Sequence, residues 1–162
     1  MENMTLTYLD TQKGVLLLKK ESQFIFPKFN LMSEGKGLKN FKGRLETCIK
    51  NTKNQTGIIL LDPIFKGIVN ISETYLPFSR DVSYFIFSAT KYSGFLDKSG
   101  NLTPCFVDKS DLPRVLTSIY AKQIYEWLQD GRMFAGNLSA KGNEIDAHNS
   151  FVDFFNFSCN LE

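Results

Sequence analysis

Residues 81–89 read "DVSYFIFSA". Side chains alternate across a strand with period two. That puts Val82, Tyr84, Ile86 and Ser88 on one face and Ser83, Phe85, Phe87 and Ala89 on the other. Both faces are apolar, so the segment reads as a central strand covered on each side. Just before it, in "YLPFSR", the chain places Arg80 against Asp81. This pair reads either as a solvated turn or as a charged lip at the end of a strand, where binding groups tend to sit.

Short strand patterns surround this segment. "MTLTYLD", "GVLLLKK" and "QFIFPKF" precede it, with "TQKG" as a turn. "TGIILLD" and "KGIVNIS" flank a turn at Asp62-Pro63. Downstream, "SGFLDKSGNLTPCFV" reads as two strands across "DKSGN", with Pro104 placing the second at an edge or bulge.

Helical spacing marks other stretches. From Gly37 to about Asn51, Leu38, Phe41, Leu45, Cys48 and Ile49 fall at steps of three and four. A single helix is predicted from Asp111, a capping residue, through Pro113 to an end at Gly131. Its apolar stripe is Leu112, Val115, Leu116, Ile119, Tyr120, Ile124, Trp127 and Leu128. "MFAGNLSAKGN" reads as a polar-rich loop. A last helix is predicted near Ser150, where Ser150 and Asp153 have capping-box spacing, with strand as the alternative for "FVDFFNF". The sum is α+β: a mostly antiparallel sheet with about three helices packed on it.

The 162 residues suit a single domain spanning residues 1–162, with room for a sizeable core. Hydrophobic content of 43% and charged content of 22% are ordinary for a globular protein. A net charge of +2 is too small to imply nucleic acid by itself, so nucleic acid is not the expected partner. The charge is nonetheless uneven. Lys36 to Lys53 holds six basic residues and one acid, Glu46, whereas Glu126 to the end holds six acids and two bases. These runs read as solvated faces or as partner-facing patches. No stretch reaches the roughly 18 apolar residues of a membrane span. "MENMTLTYLD" lacks the basic-then-apolar pattern of a secretory leader. A cytoplasmic location without membrane contact is therefore expected. Three widely spaced cysteines, Cys48, Cys105 and Cys159, then imply reduced thiols rather than a disulfide framework.

Much chemistry is missing. The lone histidine, His148, cannot build a zinc site with four close ligands. Its neighbours Asp146 and Ser150 lie two positions away, a spacing that does not face on a helix. The glycines of "SEGKGLKNFKG" fit neither a phosphate loop nor a dinucleotide fingerprint. Hence no catalytic residue, metal or cofactor is assigned, and the chain is expected not to be an enzyme.

"YLPFSRDVSYFIF" followed by "GFLDKSGNLTP" resembles a strand pair of SUKH-type immunity proteins and their GAD-like relatives, and "AHNSFVDFF" resembles their closing helix. A wider resemblance extends to contact-dependent-inhibition immunity proteins. It implies a non-catalytic inhibitor that neutralises a cognate bacterial toxin. On that reading Asp130, Glu144, Asp146 and Asp153 would face a basic toxin, with Arg80 and Asp81 as further contacts. Two other readings stay open: a phage or mobile-element inhibitor of a nucleic-acid-targeting defence system that uses Lys36–Lys53, and a carboxylate-dependent enzyme. Oligomeric state is open.

Overall fold

The computed structural model describes residues 2–21, 23–30, 41–98 and 100–156. Strand β1 (Glu2–Thr11) turns at residues 12–13 into β2 (Gly14–Lys20). Short strands β3 (Gln23–Ile25) and β4 (Lys28–Asn30) follow. Then come α1 (Phe41–Thr56), β5 (Ile58–Leu61), β6 (Ile64–Tyr75), β7 (Phe78–Ala89) and β8 (Lys91–Gly94). The chain continues through β9 (Thr103–Val107), a 3-10 turn (Lys109–Asp111), α2 (Leu112–Val115) and α3 (Ile119–Leu128). It closes with β10 (Met133–Lys141), β11 (Glu144–Ile145) and β12 (Phe151–Phe155).

The main sheet runs β11-β10-β6-β7-β1-β2-β3, while β5 and β8 form a separate ribbon. Among the described residues, β1–β7 and β6–β10 pair in parallel and the other strand pairings are antiparallel. The class is therefore α+β, with a mixed centre. As the alternation predicts, β7 lies between β6 and β1. Its two faces feed two cores. Ile86 joins Leu6, Val69, Leu116, Ile124, Trp127 and Phe134 on the α3 side. Phe85 and Phe87 join Leu9, Leu16, Cys48 and Ile58 on the α1 side.

Several sequence expectations need correction. Arg80 and Asp81 do not form a turn but lie within β7, opposite Glu73 and Ser72. The strands around "DKSGN" do not pair with each other: β8 pairs β5 and β9 pairs β2. The predicted helix from Asp111 to Gly131 is broken. Leu116 turns extended, with ψ 117, and bridges to Phe24, and Ser118 then caps α3 by accepting from the Ala121 amide. The predicted loop "MFAGNLSAKGN" contains β10, in which Phe134, Gly136, Leu138 and Ala140 are buried in strict alternation. Gly136 is required there, because a Cβ would stand 2.3 Å from Trp127 Cζ3. The closing helix is instead β12: Val152 and Phe154 pack on the α3 core while Phe151 and Phe155 point outward. Aromatic and β-branched residues suit that half-buried strand. Residues 37–40 of the first predicted helix, and Cys159, lie outside the described residues. Cys48 and Cys105 are free thiols. No helix among the described residues is long and apolar enough to cross a membrane.

Candidate functional site

One end of the α3 face carries a pocket. Strand periodicity points Leu6, Ile71 and Val82 from β1, β6 and β7 to its floor. Tyr120, Ala121 and Ile124 from the first turns of α3 form the roof, and Ile25 and Phe26 close one side. Glu73, Arg80, Tyr84 and Ser118 supply polar groups. The cavity measures about 140 Å³. A cavity of about 150 Å³ accepts a benzene-sized ring, whereas whole drug-sized ligands occupy roughly 300 Å³ or more. The enclosed part of the pocket therefore has room for about one ring. Through Ser118 and Tyr120 it adjoins a more open depression lined by Thr117, Ile119, Gly142 and Asn143.

The charges sit at one edge. Arg80 Nε and Nη2 donate to Glu2 Oε2 at 2.9 and 2.8 Å. This bonding raises the guanidinium's pKa above its ordinary value, chiefly through the hydrogen bond to Glu2. Glu73 is the cross-strand partner of Arg80. Burial pushes the Tyr84 hydroxyl above its usual pKa, and the Arg80 charge partly opposes this. An apolar ring slot with a guanidinium and a carboxylate at its mouth can seat a heterocycle and hold its polar substituents.

The predicted contact residues do not converge. Asp130 lies just before β10, bound to Arg132 Nε and Nη2. That contact holds its carboxyl below the ordinary range. Glu144 is in β11 and Asp146 caps the next 3-10 turn, both beyond the other end of β10. A nine-residue strand separates the two groups by about 30 Å. Asp153 lies mid-way along β12, Asp81 is exposed on β7, and Arg80 alone reaches the pocket. Sequence reasoning missed Glu2, Glu73 and Tyr120. Glu73 joins the site only through the β6–β7 register, and Tyr120 sits in a stripe that reads as core.

No protein-family model matches the chain, and no curated protein matches it by sequence. Solved structures do. A mutator MutT protein from Bacillus halodurans is 20% identical, with 94% of this chain and 98% of that chain covered and a TM-score of 0.78. The NUDIX domain of Shewanella oneidensis NrtR, solved with ADP ribose, is 11% identical over 80% of this chain and 86% of that one, with a TM-score of 0.62. The E. coli dihydroneopterin triphosphate pyrophosphohydrolase is 11% identical over 80% and 95%, with a TM-score of 0.58. At these identities the likeness is one of fold, and the fold is that of Nudix hydrolases.

This finding corrects the functional expectations. The immunity-protein resemblance is overturned, and with it the non-catalytic toxin inhibitor and the cognate toxin as partner. The structures that share the fold carry the names of hydrolases and of a domain that holds ADP ribose. The expectation that the chain is not an enzyme is corrected on the same ground. Of the three readings, the carboxylate-dependent enzyme agrees best.

Phosphoanhydride hydrolysis commonly uses divalent cations to neutralise phosphate oxygens. The described residues do not fit a protein-built cage for such an ion. Among them, no group of three or more His, Cys, Asp or Glu could hold a metal. Within α1 the one acid is Glu46, which is exposed.

Proposed function

We propose that the chain is a hydrolase of the Nudix type whose α3-side pocket takes the ring of a small nucleoside-phosphate ligand. The observation that carries this reading is the ring-sized apolar cavity with Arg80, Glu73 and Tyr84 among its lining residues. The names of the structural neighbours support the ligand class, since they include a domain solved with ADP ribose and a triphosphate pyrophosphohydrolase. In this reading the protein acts as one domain in the cytoplasm, where Cys48 and Cys105 stay reduced. Phe26, Tyr84 and Tyr120 give the pocket aromatic walls. The heterocycle gains apolar burial against them, and its polar edge meets Glu73 and Arg80.

Calorimetric titration with nucleoside mono-, di- and triphosphates and with ADP ribose tests this, together with assays for released phosphate and pyrophosphate. At least one of these ligands should bind and be cleaved. Ala121→Phe, which fills the roof of the cavity, should abolish binding while the far-UV circular dichroism stays unchanged. Binding that persists in a folded Ala121→Phe protein would remove the pocket from the reading. Failure of the whole panel to bind would remove the ligand class.

A further inference from the structure

The interface between α1 and the sheet carries a buried polar row beside its apolar cluster. Thr5, Thr7, Thr52, Thr56 and Cys48 are all fully buried in it. On α1 the polar positions Arg44, Cys48, Thr52 and Thr56 recur every four residues, one row along the helix. Most of these groups satisfy one another. Thr7 Oγ1 lies 2.7 Å from Thr52 Oγ1 and 3.2 Å from Cys48 Sγ. Thr56 Oγ1 donates to the Thr52 carbonyl at 2.6 Å.

At the Arg44 end this closure stops. Arg44 Nε and Thr5 Oγ1 are buried; Nε has no hydrogen-bond partner among the described residues, and Thr5 Oγ1 has no oxygen or nitrogen partner among them. Thr5 also neighbours the Cys48 sulfur, a weak partner for a hydroxyl. Both groups adjoin the same ring. Thr5 is the ladder partner of Phe85, and the Arg44 guanidinium carbon lies 3.9 Å from the Phe85 ring centroid. A guanidinium over an aromatic face still presents its forked N–H donors, the geometry that accepts an oxyanion. A partly buried cation is costly unless an anion compensates it. On α1, Glu46 is exposed, and Lys50 and Lys53 add positive charge. On the same sheet face, Asp81 is exposed two positions beyond Ser83 on β7.

We propose that Arg44 anchors an oxyanion of the phosphate type between α1 and the β1–β7 strands. The Phe85 ring orients the guanidinium, and Thr5 supplies a neighbouring hydroxyl. This place lies on the opposite face of the sheet from the α3-side pocket and does not depend on the reading of that pocket. It gives the basic α1 segment a function that its composition alone leaves open.

The test is thermal unfolding and calorimetry with inorganic pyrophosphate, against sodium chloride at matched ionic strength. The wild-type midpoint should rise with pyrophosphate beyond the chloride control. Arg44→Met should lower pyrophosphate affinity by about tenfold or more, the loss of a charge-assisted forked contact. Arg44→Lys, which keeps the charge without the fork and guards against a misfolded Met variant, should bind with intermediate affinity. Lys50→Gln, an exposed change on the same helix, should leave affinity within about twofold, because a screened surface charge contributes little. Equal losses in Lys50→Gln and Arg44→Met would reduce the effect to surface charge and overturn the site. No stabilisation of wild type beyond chloride, with a lowered midpoint in ligand-free Arg44→Met, would show that Arg44 already has a carboxylate partner within the chain. That result would also overturn it.

Discussion

The two faces of the central sheet are built on different principles. The α3 face is closed by large apolar groups: Trp127 meets Phe134 edge-on at 5.9 Å, and Phe134 meets Phe154 at 6.1 Å. The α1 face pairs an apolar cluster with a row of threonines and a buried thiol. Apolar packing is non-directional and tolerates a small void, so the α3 face can leave a ring-sized cavity at one end. Buried hydroxyls are directional and costly to leave unpaired, so the α1 face fixes the register of helix on sheet. A pocket belongs to the first kind of face, and a buried guanidinium N–H without a hydrogen-bond partner to the second.

The largest expected effect lies on the apolar side. Phe134 is 1% exposed and touches both aromatic neighbours. Phe134→Ala should cost about 3–5 kcal/mol, transfer and cavity terms together. Urea unfolding measures it. A loss under about 1 kcal/mol would mean that β10, α3 and β12 are not one packed unit.

The polar side should respond less, and non-additively. Thr7→Val strands the hydroxyl of Thr52 and removes one of the hydroxyl partners of the Cys48 thiol, at a cost of about 1–3 kcal/mol. Thr52→Val should behave alike. The double variant should recover much of the loss, because removing both partners of a buried pair is nearly neutral. Strict additivity in the double-mutant cycle would show that this face is held by packing alone.

The contrast also explains what the sequence discloses. The two-sided apolar pattern of "DVSYFIFSA" has few physical solutions, and β7 lies at the centre of the sheet as expected. Strand β10 is hidden because small residues take two of its four inward positions: Gly136 and Ala140 carry little hydrophobic signal, yet Gly136 is where Trp127 lands. The break at Leu116 follows from a tertiary bridge to Phe24, which local propensity does not contain. Among the residues of the pocket, Arg80 alone stands out in the sequence. Glu73 and Tyr120 reach it from a strand and a helix far apart in the chain, and Glu2 holds Arg80 at its edge. Their meeting depends on register and on crossings, which a one-residue slip would undo.

Alkaline pH separates the faces again, with a smaller effect. Burial raises the Cys48 thiol above its ordinary value of 9.0, and likewise raises the hydroxyls of Tyr8 and Tyr84 on the other face above 10.0. A group whose folded pKa is raised stabilises the fold fully below its unfolded pKa and loses that contribution as pH rises towards the folded value. The unfolding midpoint should therefore hold level to about pH 8 and decline above about pH 9, the thiol range coming first. Cys48→Ala should flatten the onset near pH 9 and leave the later, tyrosine-dependent decline. Burial raises the Cys105 thiol as well, so an unchanged onset in that variant would move the thiol-range effect to Cys105 on β9.

The smallest effect on stability is expected at the pocket mouth, and for that reason it discriminates best between structure and function. The Arg80 and Glu2 side chains are 53% and 25% exposed, so their ion pair is screened by water. Pairs of this kind contribute about 0–1 kcal/mol. Glu2→Gln should leave the unfolding midpoint within about 2–4 °C of wild type, the shift that 1 kcal/mol produces in a chain of this size. Yet it releases the guanidinium from its carboxylate. If Arg80 serves the pocket, the freed group should bind the phosphorylated ligands of the panel more tightly, and Arg80→Gln should bind them more weakly at nearly equal stability. If the pair only ties β1 to β7, both variants should shift stability alike and leave affinity where it was. The sign of the affinity change in Glu2→Gln thus decides whether the charged end of the α3 face is a strut or part of a binding site.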